Sequence, residues 1–207
     1  MPVTIVDNAI LKHKLGALRQ VDTQPDSFRR LINEISVHLF YEAAKNLSCK
    51  ELKIEAPFAQ TTVEQLDDQV TLLSVMRAGN GMLDSILRTW PNSSVGHAGI
   101  YRDKFFNNTV EYYFKVPKGI ENSVVFILDP IIATGETALA CLERLHEFGC
   151  KDVRFLSVLT SEQGLEKLMS RYPETHIYTL SSDDQLTDDG YLTPGIGDVG
   201  TRYYNTL

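Results

Sequence analysis

The chain has 207 residues, 43% of them hydrophobic and 23% charged, with a formal net charge of -7 at pH 7. That is ordinary globular composition, long enough for one domain with a sizeable core. The negative balance disfavours nonspecific binding to nucleic acid or to an anionic membrane, and no apolar run approaches the roughly 20 residues of a membrane-spanning helix.

The N-terminal "MPVTIVDNAILKHK" lacks the basic-then-apolar order of a signal peptide, so a cytoplasmic protein is expected. Three cysteines, Cys49, Cys141 and Cys150, show no CxxC spacing and read as reduced thiols. Five histidines lack a second His or Cys at ligand spacing and are assigned no catalytic role.

In chain order, "SFRRLINEISVHLFYEAAKNL" (27–47) places Phe28, Leu31, Ile32, Ile35 and Leu39 at three- and four-residue steps, which predicts a long amphipathic helix capped by Asp26 or Ser27. The segments 70–76, 124–128, 153–159 and 176–180 are short, apolar and β-branched, with helical patterns between several of them. That alternation predicts βαβ units and a mainly parallel sheet flanked by helices, an α/β fold. In "VEYYFKV" (110–116), Val110, Tyr112, Phe114 and Val116 fall on one face; the segment is expected to pair with 95–101 as a projecting, mobile hairpin flap.

The stretch "ILDPIIATGETALACLERLHEFG" (127–149) ends a strand at Leu128 and starts a helix by about Thr137, with Leu139, Leu142, Leu145 and Phe148 as its buried stripe and Gly149 as its stop. Between them, residues 133–137 would aim backbone N–H groups and two hydroxyls at a phosphate. A plain connection capped by Thr134 or Thr137 fits the turn alone equally well. Asp129 tips the balance: a carboxylate there would repel bare phosphate but could accept sugar hydroxyls or hold a Mg²⁺ hydrate.

A second strand-to-turn switch, "LLSVMRAGNGM", puts Arg77 after a buried strand, with Gly79 and Gly81 allowing a tight turn. A third unusual stretch, "DDGYLTPGIGDVGTRYY" (188–204), is glycine-rich, yet Tyr191, Leu192, Ile196 and Val199 imply packing around backbone that could read a flat heterocycle.

Taken with "LKHKLGALR", "FRRLINEI", "RAGNGM", "YRDK", "LDPIIATGET" and "YLTPGIGDVGTR" in this order, the chain resembles the uracil phosphoribosyltransferases along nearly its whole length. The resemblance implies one type I phosphoribosyltransferase domain over 1–207, with a flap at about 95–117 and a small uracil-binding hood at about 188–204. It implies transfer of ribose 5-phosphate from phosphoribosyl pyrophosphate to uracil, giving UMP and pyrophosphate, with Mg²⁺ escorting the pyrophosphate and no direct protein ligand to the metal.

Carried over by motif, Arg77 and Arg102 would contact the pyrophosphate. Asp129, Pro130, Ile131, Ile132, Ala133, Thr134, Gly135, Glu136 and Thr137 would hold the ribose and its phosphate. Leu192, Gly197, Asp198 and Val199 would read the uracil edge. Asp198 would also lie near the donor or its metal, so Asp198 and Arg102 are the expected catalytic residues, and Asp198→Ala is expected to abolish activity without disturbing the fold. The resemblance, and no residue pattern, also implies a homodimer or homotetramer and GTP as an activator. Three positions depart from the family pattern: Glu136 in the phosphate turn, where it is expected to point to solvent, Asn80 and Thr201. They leave open a second reading, a weakly active or inactive sensor of UMP, uracil or phosphoribosyl pyrophosphate.

Overall fold

Strand-length apolar segments that carry no polar face must be covered on both sides, and the chain supplies the helices to do so. The computed structural model describes residues 3–103 and 108–206 and, within them, every side chain but those of residues 102, 103 and 108. The first half runs β1 (Val3–Ile5), α1 (Ala9–Arg19), α2 (Pro25–Ala44), β2 (Cys49–Glu55), β3 (Gln60–Leu66), β4 (Gln69–Met76), α3 (Asn80–Thr89), β5 (Ser94–Asp103), β6 (Asn108–Lys115) and β7 (Ser123–Leu128). The second half adds β8 (Ile131–Ile132), α4 (Glu136–Glu147), β9 (Asp152–Leu156), β10 (Leu159–Thr160), α5 (Glu162–Arg171), β11 (His176–Thr179), β12 (Ser181–Ser182), β13 (Gln185–Leu186), β14 (Leu192–Thr193) and α6 (Val199–Tyr204).

Seven strands form the main sheet in the order β1-β11-β9-β7-β4-β5-β6, parallel throughout except for the last pair. The α/β expectation holds. Successive residues of the central strands point to opposite faces. Leu72 and Phe126 pack with Phe28, Ile32 and Ile35 of α2 and Met82 and Ile86 of α3, whereas Leu73, Val125 and Ile127 pack with Cys141, Leu142 and Leu145 of α4 and Leu168 of α5. Each such side chain, once buried, contributes about 1.5–3 kcal/mol of transfer free energy. No helix among the described residues is long and apolar enough to cross a membrane.

Several details differ from expectation. The α2 helix begins at Pro25 with Gln24 as an N-cap that makes no side-chain bond, so neither Asp26 nor Ser27 caps it; Pro25 occupies the first turn, where a missing N–H costs nothing. The segment 153–159 is two strands. The chain bends after Leu156, with the Val158 and Leu159 N–H groups both donating to the Pro130 carbonyl at 3.0 and 3.1 Å. This places β10 between β8 and β12 in a small parallel ladder beside the 130s turn.

Phe148 is 41% exposed and is not part of the α4 core stripe, which consists of Ala138, Cys141, Leu142 and Leu145. It lies just past the last helical residue and stacks on Phe114, with the Arg144 guanidinium over both rings. Gly149, at φ 80°, ends the helix as expected, its N–H donating to His146 O at 2.9 Å while that of Cys150 donates to Leu145 O at 3.1 Å.

The β5–β6 hairpin exists, but its base is built into the sheet: β5 pairs with β4 through Gly99, and only its last residues extend beyond. A bulge opposite Gly99/Ile100 breaks the alternation, so that Glu111 and Phe114 both meet Arg144 of α4. The tip of the expected flap, residues 104–107, lies outside the described residues. A second hairpin, β2–β3, was not anticipated. All seven residues of β2 are exposed, so it carries no period-two burial pattern to read.

Candidate active site

At the C-terminal end of β7 the chain passes through Asp129, forms β8, and turns through Gly135 into α4. Gly135 sits at φ 77°, in the left-handed region, and a Cβ there would come 3.0 Å from the Gly164 carbonyl. The α4 N-terminus carries no side-chain cap. Its first N–H groups, at the positive end of the helix dipole, therefore face the cleft that Thr134 and Thr137 line, which is a ready anion site. The turn is held from behind by α5: the Ser161 hydroxyl, which caps α5 by accepting from Gly164 N at 2.8 Å, donates to the Ala133 carbonyl.

Two carboxylates in this turn behave differently. Asp129 is half-buried at the floor of the cleft, and loss of bulk solvation pushes its carboxyl up to about 7, opposed only in part by the hydrogen bond that the Ile131 N–H donates to it. Glu136 does not point freely into solvent. It pairs with Lys167 on α5, and so its charge is neutralised beside the turn instead of being left unpaired next to the uncapped helix N-terminus.

The second turn follows β4. Gly79 adopts an ordinary helical φ of -61°, so left-handed freedom is not its reason. A Cβ there would lie 2.2 Å from the Leu128 carbonyl and 2.7 Å from Val75 N and O; only glycine lets the β4–α3 turn approach the end of β7 this closely. The Met76–Arg77 peptide is cis and Arg77 is exposed. Asn80, one of the departures, begins α3 and accepts a 2.7 Å hydrogen bond from Ser74.

The C-terminal loop is fixed by two arginines. Arg19 of α1 makes a double hydrogen bond to Asp183, at 2.7 Å twice, and donates to the Gly195 carbonyl at 2.9 Å, while Asp183 also accepts from Gly195 N at 2.9 Å. That pairing holds the Asp183 carboxyl below the usual carboxylate range. Arg202 donates to the carbonyls of Leu18, Gln20 and Ile196 at 2.6–2.7 Å and lies over the Phe28 ring. Asp198 caps α6 by accepting from Thr201 N at 2.6 Å, so it has a structural role that the sequence reading did not give it.

These parts enclose one cavity of about 340 Å³. Asp129, Pro130, Ile131, Ile132, Ala133, Thr134, Gly135, Glu136 and Thr137 line one side, and Gly197, Asp198 and Val199 the other. Ala78, Ala138, Asp189, Gly190 and Gly200, none of them selected from the sequence, line the rest of the wall with Tyr191. Tyr191, expected to pack inside, is 43% exposed and lines the cleft, unlike Leu192, Ile196 and Val199, which are buried. Leu192 does not line the cavity; its side chain joins the core on the α1–α2 side. Arg77 stands at the rim, its Nη2 3.8 Å from where a Cβ on Gly200 would be. Arg102 lies in β5, and its side chain is outside the described residues.

A parallel sheet whose ligand cleft opens at strand C-termini, with a βα turn for phosphate and a C-terminal hood, is the architecture of the type I phosphoribosyltransferases. A solved protein of Aquifex aeolicus superposes with a TM-score of 0.93 at 28% identity, covering 99% of this chain and 98% of that one. Adenine phosphoribosyltransferase from Trypanosoma brucei, solved with AMP, pyrophosphate and ribose-5-phosphate, shares the fold at a TM-score of 0.52 and 19% identity, over 78% of this chain and 68% of its own. The family model for uracil phosphoribosyltransferase matches residues 5–206. Uracil phosphoribosyltransferases of Thermosipho melanesiensis, at 42% identity over 100% of both chains, and of Fervidobacterium nodosum, at 41% over 98% of both, are similar throughout. The chain belongs to the uracil phosphoribosyltransferase family.

Proposed function

We propose that the protein transfers the 5-phosphoribosyl group of phosphoribosyl pyrophosphate to uracil, forming UMP and pyrophosphate in pyrimidine salvage. The observation that carries this reading is the single cavity joining an uncapped helix N-terminus and the Asp129 carboxylate to the Gly197–Val199 turn. A sugar phosphate needs both halves of the first wall, and a flat base needs the second. The phosphate lies against the α4 N–H groups, with Thr134 and Thr137 beside it, and residues 129–133 border the ribose, whose hydroxyls Asp129 accepts. Gly197, Asp198 and Val199 present donors and acceptors to the uracil edge, and Leu192 supports them from the core beneath.

The chemistry requires no protein nucleophile. Departure of pyrophosphate leaves an oxocarbenium-like ribose, so orientation and stabilisation of separating charge supply the rate. Arg77 and Arg102 take the leaving group's negative charge, and Asp129 and Asp198 face the positive sugar. Closure of the β5–β6 flap over the cleft would keep water from hydrolysing the donor.

The donor set suits Mg²⁺ brought by the pyrophosphate: Asp129, Asp189 and Asp198, besides the Lys167-paired Glu136, border the cavity with carboxylate oxygens. When bound, Mg²⁺ neutralises the leaving pyrophosphate. A cytoplasmic location, a homodimer or homotetramer, and activation by GTP belong to the same reading. The sensor alternative rested on three departures. Glu136 is paired with Lys167, Asn80 is bonded to Ser74, and the Thr201 N–H serves the α6 cap, so none of them obstructs the cleft.

The test is an acceptor panel. Uracil should yield a nucleotide with phosphoribosyl pyrophosphate and Mg²⁺, whereas cytosine and hypoxanthine should not; equal use of hypoxanthine would overturn the assignment of the base site.

A further inference from the structure

We propose that Tyr204 is a positioning residue for the donor subsite, holding Arg77 in place from the far end of α6. The α6 helix follows its cap Asp198, on the base side of the cavity, and ends against the β4–α3 turn, on the donor side. Its last two residues clamp that turn. The Tyr203 ring packs on the Gly81 α-carbon so closely that a Cβ on Gly81 would come within 2.6–2.9 Å of three ring atoms. Tyr203 is itself fixed to α2, its carbonyl accepting from Arg29 Nε at 2.7 Å.

Tyr204 then takes hold of Arg77 twice. Its hydroxyl donates to the Arg77 carbonyl at 3.2 Å, and its ring lies under the guanidinium, 5.8 Å from centroid to Cζ. On another side, Arg77 Nη2 and Asp198 Oδ1 lie 3.8 and 3.5 Å from the same point, the Cβ position of Gly200. Among the described residues no carboxylate pairs with Arg77. An exposed arginine steadied by a ring and by backbone keeps its full charge for a polyanion, where an ion pair would have spent part of it. Without the ring, the side chain would have to be ordered by the ligand, at a cost in donor affinity.

The inference rests on the proposed role of Arg77, and the experiment separates the two. Steady-state kinetics of the full chain compare wild type, Tyr204→Phe and Tyr204→Leu. Tyr204→Leu should raise the KM for phosphoribosyl pyrophosphate about tenfold and weaken product inhibition by pyrophosphate in parallel, with the uracil KM within about twofold. Tyr204→Phe, which keeps the ring, should stay within about threefold of wild type for the donor. Donor binding followed by calorimetry reads the same difference without turnover, so an inactive wild type would sink the functional reading while still deciding this one. Equal rises in both KM values, a lowered melting temperature with unchanged donor affinity, or a Tyr204→Phe variant as impaired as Tyr204→Leu would each overturn the proposal.

Discussion

Replacing Asp129 by asparagine sets stability against function. Desolvation raises the Asp129 carboxyl from 3.8 to about 7. The folded protein therefore binds this proton more tightly than the unfolded chain does. Below the unfolded value both states are protonated and the site costs nothing; as the pH climbs from 3.8 to about 7 stability falls, and above that the whole penalty is present. The rise corresponds to about 4 kcal/mol at most, and the partial access of solvent to the cleft reduces it to about 1–2 kcal/mol.

An asparagine keeps an oxygen for the Ile131 N–H but carries no charge. At about pH 8 the ligand-free Asp129→Asn protein should therefore melt about 3–6 °C above wild type, with the gap closing towards pH 4. The same variant loses a charge-assisted acceptor for ribose hydroxyls and should lose about 10- to 100-fold in kcat/KM for the donor. Thermal melts at a series of pH values, followed by circular dichroism, provide the assay. A difference in melting temperature that does not change with pH, or an Asn variant less stable than wild type at pH 8, would refute the reasoning.

Three other substitutions probe the surrounding frame. Lys167→Ala frees the Glu136 carboxylate beside the phosphate turn and should raise the donor KM about threefold at low salt, less at high salt, with recovery in the Lys167→Ala/Glu136→Gln double variant; a loss that the double variant does not recover contradicts the charge argument. Arg19→Ala leaves Asp183 buried without its partner and should cost about 3–5 kcal/mol in urea unfolding, with a raised uracil KM where the variant stays folded. Because pairing lowers the Asp183 carboxyl, that contribution is present above 3.8 and lost as the pH falls through the lower folded value, so the cost should shrink in acid. Asp198→Asn is a better test than Asp198→Ala, since asparagine caps α6 equally well; turnover should drop at least 100-fold with an unchanged melting temperature, and near-normal turnover would remove Asp198 from the mechanism.

The parts legible in the sequence are those whose cause is local. The β4 and β7 runs, the α2 stripe and the turn through Gly135 follow from periodicity and backbone sterics within a few residues, and each forms as expected. What was missed depends on distance along the chain. Lys167 meets Glu136 across 31 residues and Arg19 meets Asp183 across 164, and no local pattern marks either pair. The β2–β3 arm has no buried face to impose alternation, and the bulge in β6 moved Glu111 onto the face of Phe114. Asp198 was expected at the site from the family resemblance, but its capping role needed the helix that follows it.

The central claim is that one cavity brings donor and base together for transfer. Its most direct test is the purified protein incubated with uracil, phosphoribosyl pyrophosphate and Mg²⁺, with and without GTP, and UMP and pyrophosphate quantified by chromatography. The account predicts equimolar UMP and pyrophosphate that require both substrates; no UMP under any nucleotide condition, with the protein folded and binding the donor, would contradict it.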